Sequence, residues 1–192
     1  GDVNVDSHLA LPVLNKTKAE LESFELIPFK KSANISPCIM VAHLSLPQIE
    51  KESKRPASLS KKVLQGMIRD DLNYKGLIMT DELNMKGVTE NFKLNQASYE
   101  ALINGSDILL YNHESESTLK TFNFLKQEMT KDKDLIIRVE ESFKRIISIK
   151  KKFLSKKPKQ IRIKNPNKLT SELASEVTHW IKKDIFYKPI NK

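Results

Sequence analysis

The sequence predicts a protein of the α/β class with a parallel sheet, and three observations support this prediction. Strand-length apolar runs alternate with longer segments in which apolar residues recur at helical spacing. The runs cover residues 38–44, 77–80 and 107–112. They are almost continuously apolar, which is typical of strands buried on both faces in a parallel sheet. Polar residues suited to chemistry stand at the ends of two runs, where α/β barrels carry their catalytic groups.

The segments before the first and second apolar runs have helical patterns. Residues 17–33 are predicted to be helical, and Pro28 is expected to break this helix into two pieces because proline lacks a backbone N–H. Residues 60–73 are predicted to form a helix that packs on the sheet, and Gly76 ends the connection to the next strand. The apolar stripe of this helix consists of Val63, Leu64, Met67, Ile68 and Leu72.

The alternation of strand and helix continues in the second half of the chain. A loop that contains Met85 leads to a helix predicted at residues 94–103, and Gly105 is its expected C-terminal cap. Two further helices are predicted near residues 115–129 and 134–153. These helices are expected to cover the outer face of the sheet.

Composition divides the chain into one domain and a tail. Residues 1–153 carry all the strand and helix units, whereas residues 154–168 are rich in Lys, Pro and Asn and are interpreted as a basic linker. Residues 169–192 are predicted to hold one more helix, leading towards a second domain that the chain does not complete. Three doubly buried strands cannot form a stable sheet alone, so we expect the first half of the domain to precede Gly1.

Charge and composition exclude several classes of function. The 192 residues carry a formal charge of +9, but the excess of Lys and Arg lies mostly at residues 144–168, so we expect no nucleic-acid partner. No apolar run approaches the roughly 18 residues of a membrane-spanning helix. Cys38 is the single cysteine, so the chain has no disulfide framework. No second His or Cys lies at ligand spacing, and we expect neither a metal nor a cofactor.

Two groups of residues have the chemistry of an active site. Asp81 directly follows the second apolar run, where a carboxylate can act as a nucleophile or, alternatively, cap the next helix. Near the start of the chain, Asp6 stands two residues before His8, so its carboxylate can orient the imidazole and raise its proton affinity. Such an imidazole can donate a proton to a leaving oxygen and later accept one from water.

The order and spacing of several motifs resemble one enzyme family. GDVNVDSHLALPVL is followed by ELIPFK, CIMVAHL, PASLSKKVLQGMIRDDLNYKGLIMTDELNMKGV and INGSDILLYN. This series resembles the C-terminal half of the catalytic domain in family-3 glycoside hydrolases of the bacterial β-N-acetylglucosaminidase type. The resemblance covers roughly residues 1–153. It implies that this region is the C-terminal part of a (β/α)8 barrel of the TIM type, with about three strands and their helices.

The resemblance also implies roles for individual residues. Asp81 would be the nucleophile of a retaining mechanism, and His8, oriented by Asp6, would be its general acid/base. Separately from the resemblance, His43 at a strand end and Met85 in the loop after the second run are expected to border the sugar, although a hydrogen-bonded structural role is the alternative for His43. The chain departs from the family pattern at Glu82, where a second Asp is usual.

The implied activity is hydrolysis of terminal N-acetyl-β-D-hexosamine residues, such as GlcNAc, by a longer enzyme of which this chain is part. A carbohydrate is therefore the expected partner. One alternative is a glycoside phosphorylase, in which phosphate replaces water, since a neutral His tolerates an anionic acceptor better than a carboxylate does. A second alternative is a non-catalytic basic binding module. The sequence leaves the compartment and the oligomeric state open.

Overall fold

The computed structural model describes residues 3, 6, 9–52, 54–112, 116–154 and 171, which form a parallel sheet flanked by helices. The strands are β1 (Cys38–Val41), β2 (Leu77–Glu82) and β3 (Ile108–Leu110). The α-helices are α1 (Lys18–Ser23), α2 (Ile27–Ser32), α3 (Lys86–Thr89), α4 (Leu94–Asn104), α5 (Glu116–Glu128) and α6 (Lys133–Leu154). A 3₁₀ turn (Ala57–Leu59) and a π-helix (Lys62–Asp71) lie between β1 and β2.

The sheet has the order β1-β2-β3, and both pairs of neighbours are parallel. The register between β1 and β2 runs from Cys38 opposite Leu77 to Val41 opposite Thr80. Among the described residues, β1 and β3 each pair with β2 alone. The predicted α/β class, with three parallel strands at the three apolar runs, is therefore confirmed. All three carboxyl ends meet at one edge, which we name the carboxyl edge.

The first predicted helix is in two pieces, as expected, but the break lies before Pro28. Helix α1 begins with a capping box, in which the Thr17 hydroxyl accepts from the Glu20 N–H and the Glu20 carboxylate accepts from the Thr17 N–H. Helix α1 ends at Ser23, and Pro28 lies in the first turn of α2. Proline is tolerated there because the first N–H groups of a helix have no intrahelical partner.

The second predicted helix has the predicted buried face but an unexpected winding. Its residues Val63, Leu64, Met67 and Ile68 are buried, as the stripe indicated. The segment is nevertheless wound as a π-helix, and the Leu72 N–H, just past its end, reaches the Met67 carbonyl, five residues back. An α-helix was the expectation, because apolar spacing over three turns does not distinguish the two windings.

The second half of the domain matches the predicted order closely. Helix α4 ends at Gly105, whose φ of 132° lies in the region that favours glycine, as the predicted cap requires. Helices α5 and α6 lie at the two predicted positions. The short helix α3 occupies part of the segment that was expected to be a loop. Leu154, the first residue of the predicted linker, still belongs to α6, and the rest of the predicted linker and tail helix lies outside the described residues, apart from Ser171.

Two apolar clusters hold the sheet between the helices. The first lies around β1 and the π-helix and includes Leu14, Leu21, Ile39, Val41, Leu64, Met67 and Ile78. The second lies under α4 and includes Leu59, Leu83, Val88, Phe92, Ala97 and Ala101. An open apolar groove of about 730 Å³ runs along the outer edge of β1, where half of Met40 is exposed. Within the described part, no helix is long and apolar enough to cross a membrane.

A buried carboxylate, Asp107, anchors the sheet at the amino ends of the strands, opposite the carboxyl edge. It immediately precedes β3, and its side chain is fully buried. One oxygen accepts the Ile78 N–H and an N–H of Arg69, and the other accepts from Arg138, Ser142 and Arg145. Burial by itself would raise the pKa of Asp107, but these hydrogen bonds and the neighbouring guanidinium charges hold it below its ordinary value.

The ion-pair cluster of Asp107 with Arg69, Arg138 and Arg145 also holds the π-helix against the connection that follows it. Arg69 lies at the end of the π-helix, with 8% of its side chain exposed. It donates to the backbone carbonyls of Tyr74 (3.0 Å) and Gly76 (2.6 Å) in addition to Asp107. One guanidinium therefore joins helix, connection and β3 at the edge remote from the carboxyl edge.

Candidate active site at the carboxyl edge

Asp81 lies at the tip of the central strand, which ends at the carboxyl edge. The apolar run that precedes it is buried in β2, whereas Asp81 and Glu82 are only partly buried. Asp81 Oδ1 accepts the backbone N–H of Glu82 at 2.8 Å. This bond orients the carboxylate and leaves Oδ2 as the oxygen available for another contact.

On one side, β3 holds the β2 tip and the start of the loop that follows β2. The Leu110 N–H donates to the Thr80 hydroxyl (3.1 Å), and the Leu83 N–H donates to the Leu110 carbonyl (3.0 Å). The chain then turns into α3 at Met85, whose N–H donates to the Glu82 carbonyl at 3.1 Å. Met85 is 5% exposed, so its side chain is largely buried beside the tip.

On its other side, the β2 tip is held by His43, which follows β1. The ring is fully buried, with Nε2 2.8 Å from the Glu82 carbonyl and Nδ1 2.7 Å from the Ser58 hydroxyl. Burial lowers the pKa of His43, and the Glu82 carbonyl and the negative charges of Asp81 and Glu82 offset this only in part. The ring is therefore neutral at neutral pH.

The segment that follows the candidate acid/base also reaches the carboxyl edge. Ser7 and His8 lie outside the described residues, whereas Asp6 is described and exposed. Further along, the Ser45 N–H donates to the Pro12 carbonyl (2.8 Å), and the Leu14 N–H donates to the Ser45 carbonyl (2.9 Å). Ser45 stands two residues after His43, so the chain that carries Asp6 is tied to the same edge as Asp81.

The structure thus gathers part of the predicted site. Asp81, His43 and Met85 lie together around the β2 tip, with His43 and Met85 both bonded to the Glu82 carbonyl. His43 has its two ring nitrogens engaged within the protein, which is the hydrogen-bonded arrangement weighed as its alternative role. Sequence reasoning missed Ser58, which is fully buried in the 3₁₀ turn. A serine distant in sequence gives no local signal that it will meet a histidine.

His43 makes stability depend on pH in a defined direction. Since its folded pKa lies below its ordinary value of 6.5, the unfolded chain binds more protons as the pH falls through that value. The free energy of unfolding is therefore undiminished by His43 above about pH 6.5. Below that pH it falls, by up to about 1.4 kcal/mol per pH unit. We expect His43→Gln to flatten this part of the profile, measured as urea unfolding free energies at pH 7.5 and 5.0.

A matched control separates this titration from a general loss of packing. Ser142→Ala removes another buried hydrogen-bonding group, 4% exposed, that does not titrate. It is expected to lower stability by a similar amount at both pH values. Equal pH slopes for wild type and His43→Gln would show that folding does not lower the pKa of His43.

The described residues contain no group of three His, Cys, Asp or Glu side chains that could hold a metal ion. The carboxyl edge presents the partly exposed side chains of Asp81 and Glu82, beside the buried and neutral imidazole of His43. This set suits nucleophilic attack by Asp81 on an electrophilic carbon.

Comparisons with known proteins agree on one family. The profile of the "Glycosyl hydrolase family 3 N terminal domain" matches residues 1–149. The chain is similar to a Haemophilus influenzae protein named Beta-hexosaminidase, with 38% identity over 128 residues, or 66% of this chain and 36% of that protein. It is also similar to the solved structure of a family 3 β-N-acetylglucosaminidase from Paenibacillus sp. str. FPU-7, with a TM-score of 0.76 and 28% identity, covering 85% and 31% of the two chains.

A third likeness connects the fold to a related reaction. The solved structure of Beta-glucoside phosphorylase BglX aligns with a TM-score of 0.69 and 25% identity, covering 80% of this chain and 29% of that one. The chain spans only about a third of the length of these relatives. The profile nevertheless covers more than three quarters of its residues, including the whole sheet and the carboxyl edge. The chain therefore belongs to glycosyl hydrolase family 3, to whose N-terminal domain these residues correspond.

Proposed function

We propose that this chain supplies the nucleophile and the general acid/base of a retaining β-N-acetylhexosaminidase, as part of a longer enzyme with a (β/α)8 barrel. One observation carries the proposal. Asp81 stands half-exposed at the tip of β2 with one oxygen fixed by the Glu82 N–H, and the segment that follows Asp6 and His8 is bonded to Ser45 at the same edge. The names of the relatives supply the class of sugar.

The first chemical step is attack by Asp81. Its Oδ2 forms a bond to the anomeric carbon while the bond from that carbon to the departing oxygen breaks, and His8 gives its proton to that oxygen. The product is a covalent glycosyl-enzyme of inverted configuration. Asp6 would hold the imidazole in the orientation and protonation state for this transfer, as a carboxylate partner does in other catalytic pairs.

The second step releases the sugar. His8 is now neutral and takes a proton from water, whose oxygen attacks the anomeric carbon and displaces the Asp81 carboxylate. Two inversions give net retention of configuration. An imidazole suits both roles because its ordinary pKa lies near neutrality, whereas a carboxylic acid needs its pKa raised to serve as a proton donor.

A glycoside phosphorylase is the second candidate, and the likeness to BglX is the observation that favours it. In that reaction phosphate attacks the glycosyl-enzyme in place of water and yields a sugar 1-phosphate. The relatives named as hexosaminidases favour hydrolysis. Product analysis in phosphate buffer separates the two, since only phosphorolysis forms the sugar 1-phosphate.

Activity tests need the rest of the barrel, which a chimera can supply. We define the hexosaminidase chimera as this complete chain fused behind the part of the Haemophilus influenzae Beta-hexosaminidase that precedes the matched segment. We expect this chimera to hydrolyse p-nitrophenyl N-acetyl-β-D-glucosaminide with retention, because it unites the carboxyl edge with the barrel strands that the relative supplies. The 192-residue chain alone is expected to show no measurable hydrolysis, as it spans only about a third of the length of its relatives.

The assay pairs continuous p-nitrophenolate release with NMR of the first sugar anomer formed. Robust turnover by the chain alone would overturn the expectation that the site is incomplete. A folded chimera that neither hydrolyses nor phosphorolyses the aryl glycoside would count against both enzymatic candidates and favour a non-catalytic module.

A further inference from the structure

The hydrogen bonds of His43 define its tautomer. The Glu82 carbonyl can only accept, so Nε2, 2.8 Å away, carries the ring proton. In a neutral ring Nδ1 is then an acceptor, and the Ser58 hydroxyl, 2.7 Å away, is its donor. Ser58 is itself fully buried, so bulk solvent cannot replace this hydrogen bond. The pair therefore forms a directed chain from Ser58 through the imidazole to the Glu82 carbonyl.

The side chain of His43 contacts β2 just past the last paired residues of β1 and β2. The register of the two strands runs as far as Val41 opposite Thr80. Beyond that register Asp81 and Glu82 continue β2 along β3, and the imidazole of His43, which follows β1, contacts the Glu82 carbonyl. On the β3 side the backbone of Leu110 still holds the tip.

The Glu82 carbonyl is a sensitive point for the candidate nucleophile. The Glu82 N–H fixes Asp81 Oδ1, while the Glu82 carbonyl accepts from both His43 and the Met85 N–H. A shift of this residue would therefore turn the Asp81 carboxylate as well. A displacement of about 1 Å in a reacting group can cost about 100-fold in rate.

We propose that His43 is a positioning residue for Asp81, acting through the Glu82 carbonyl, and that Ser58, which donates to Nδ1, holds the ring in the orientation in which Nε2–H faces this carbonyl. The proposal rests on the role of Asp81 given above. It assigns His43 no contact with the sugar, which separates it from the substrate-binding role that the sequence suggested. The same geometry predicts that His43 matters for turnover more than for affinity.

Variants of the hexosaminidase chimera test the donor function of the ring. His43→Phe keeps an aromatic ring but has no donor, and we expect it to lower kcat by about 10- to 100-fold with little change in KM. His43→Gln retains an N–H group that can reach the Glu82 carbonyl and should recover part of the lost kcat. Ser58→Ala removes the hydrogen bond that orients the ring and should cost about 3- to 10-fold in kcat, whereas Ser58→Thr keeps the hydroxyl and should cost less.

The matched control lies at the opposite edge of the sheet. Ser142→Ala removes a buried serine hydroxyl that bonds to Asp107, so it lowers stability without touching the carboxyl edge. Its kcat should equal that of wild type at temperatures where both are folded. A kcat for His43→Phe or Ser58→Ala within twofold of the Ser142→Ala value would overturn the positioning role and leave only a packing role.

The tautomer itself is measurable by ¹⁵N NMR of the imidazole in the complete chain. We expect the Nε2–H form to dominate at pH 8, and to dominate in Ser58→Ala as well, because the Glu82 carbonyl still accepts from Nε2. A dominant Nδ1–H form in wild type would overturn the proposal. An inactive wild-type chimera would contradict both the proposed function and this inference. An active chimera whose His43 variants keep the wild-type kcat would contradict this inference alone.

Discussion

Asp81→Ala in the hexosaminidase chimera is expected to lower kcat for the aryl N-acetylglucosaminide by on the order of 10⁴- to 10⁶-fold, as loss of a covalent nucleophile does elsewhere. The methyl group cannot bond to the anomeric carbon, so the first displacement has no acceptor on the protein. Folding should be preserved, because Asp81 is partly exposed and its Oδ1 bonds to the N–H of its own neighbour, Glu82. Steady-state kinetics and thermal unfolding of the same sample test both statements.

Azide makes this test specific for a nucleophile. It can enter the space vacated by the carboxylate and attack the anomeric carbon while the aryl oxide leaves, which forms the α-glycosyl azide. Glu82→Gln is the matched control, since it neutralises the adjacent carboxylate and leaves the Glu82 backbone in place. We expect Glu82→Gln to retain kcat within about tenfold and to form no azide adduct.

The opposite pattern would move the nucleophile elsewhere. An Asp81→Ala variant that keeps most of its activity, or one that azide rescues to the β-glycosyl azide, would exclude Asp81 as the group that forms the intermediate. A large loss in Glu82→Gln with azide rescue would assign the role to Glu82. Its side chain is also partly buried at the β2 tip.

The strands were predictable because each is a short, almost continuously apolar run. The expected burial on both faces is wrong for β1 and β3 in the described structure, since Met40 is half exposed and all three residues of β3 are partly exposed. All three apolar runs became strands, and Asp81 was correctly placed at a strand tip. The ends of the runs were less predictable. The predicted run extended to residue 44, yet β1 ends at Val41, Ser45 bonds to Pro12, and the Leu44 carbonyl accepts from the Ala57 N–H. Hydrogen bonds to distant segments end this strand, and no local pattern records them.

Residues that meet through long-range contacts were not predictable for the same reason. His43 was singled out by its place after a strand, but its partner Ser58 and its target, the Glu82 carbonyl, lie 15 and 39 residues away. Arg69 was read as part of a helix, whereas it is buried and bonded to Asp107, 38 residues away. In each case one partner has a pattern that the sequence shows, and the pairing arises only from the topology.

The same distinction between local patterns and long-range contacts applies to the predicted site. Asp81 needed only a strand and the residue after it, so its position could be predicted. The pairing of Asp6 with His8 stays a prediction, because His8 lies outside the described residues. What the structure adds is the bonding of Ser45 to Pro12 and Leu14, which brings their segment to the carboxyl edge. That contact depends on a loop conformation that apolar periodicity does not record.

Asp107→Ala is expected to lower the free energy of unfolding by about 3 to 5 kcal/mol, the range for removing one partner of a buried ion pair. The change leaves Arg69, 8% exposed, and Arg138, 12% exposed, without their carboxylate, and it leaves the Ile78 N–H without its acceptor. Urea unfolding of the complete chain at pH 7 measures the loss. Since the pKa of Asp107 is held below its ordinary value of 3.8, the same stabilisation is present above that value and is lost in wild type as the pH falls through the folded pKa.

Two further variants identify the source of this stabilisation. Asp107→Asn keeps the shape of the side chain and removes its charge, so a loss close to that of Asp107→Ala would assign the effect to the unpaired guanidinium groups. Arg145→Gln removes the most exposed of the three arginines, at 31%, and should cost less than about 1 kcal/mol because water already screens it. If Asp107→Ala costs no more than Arg145→Gln, the cluster is a solvated surface group and the edge is held by apolar packing alone. The buried position of Asp107 under Ser142 and Arg69 favours the larger loss, because water cannot replace the carboxylate there.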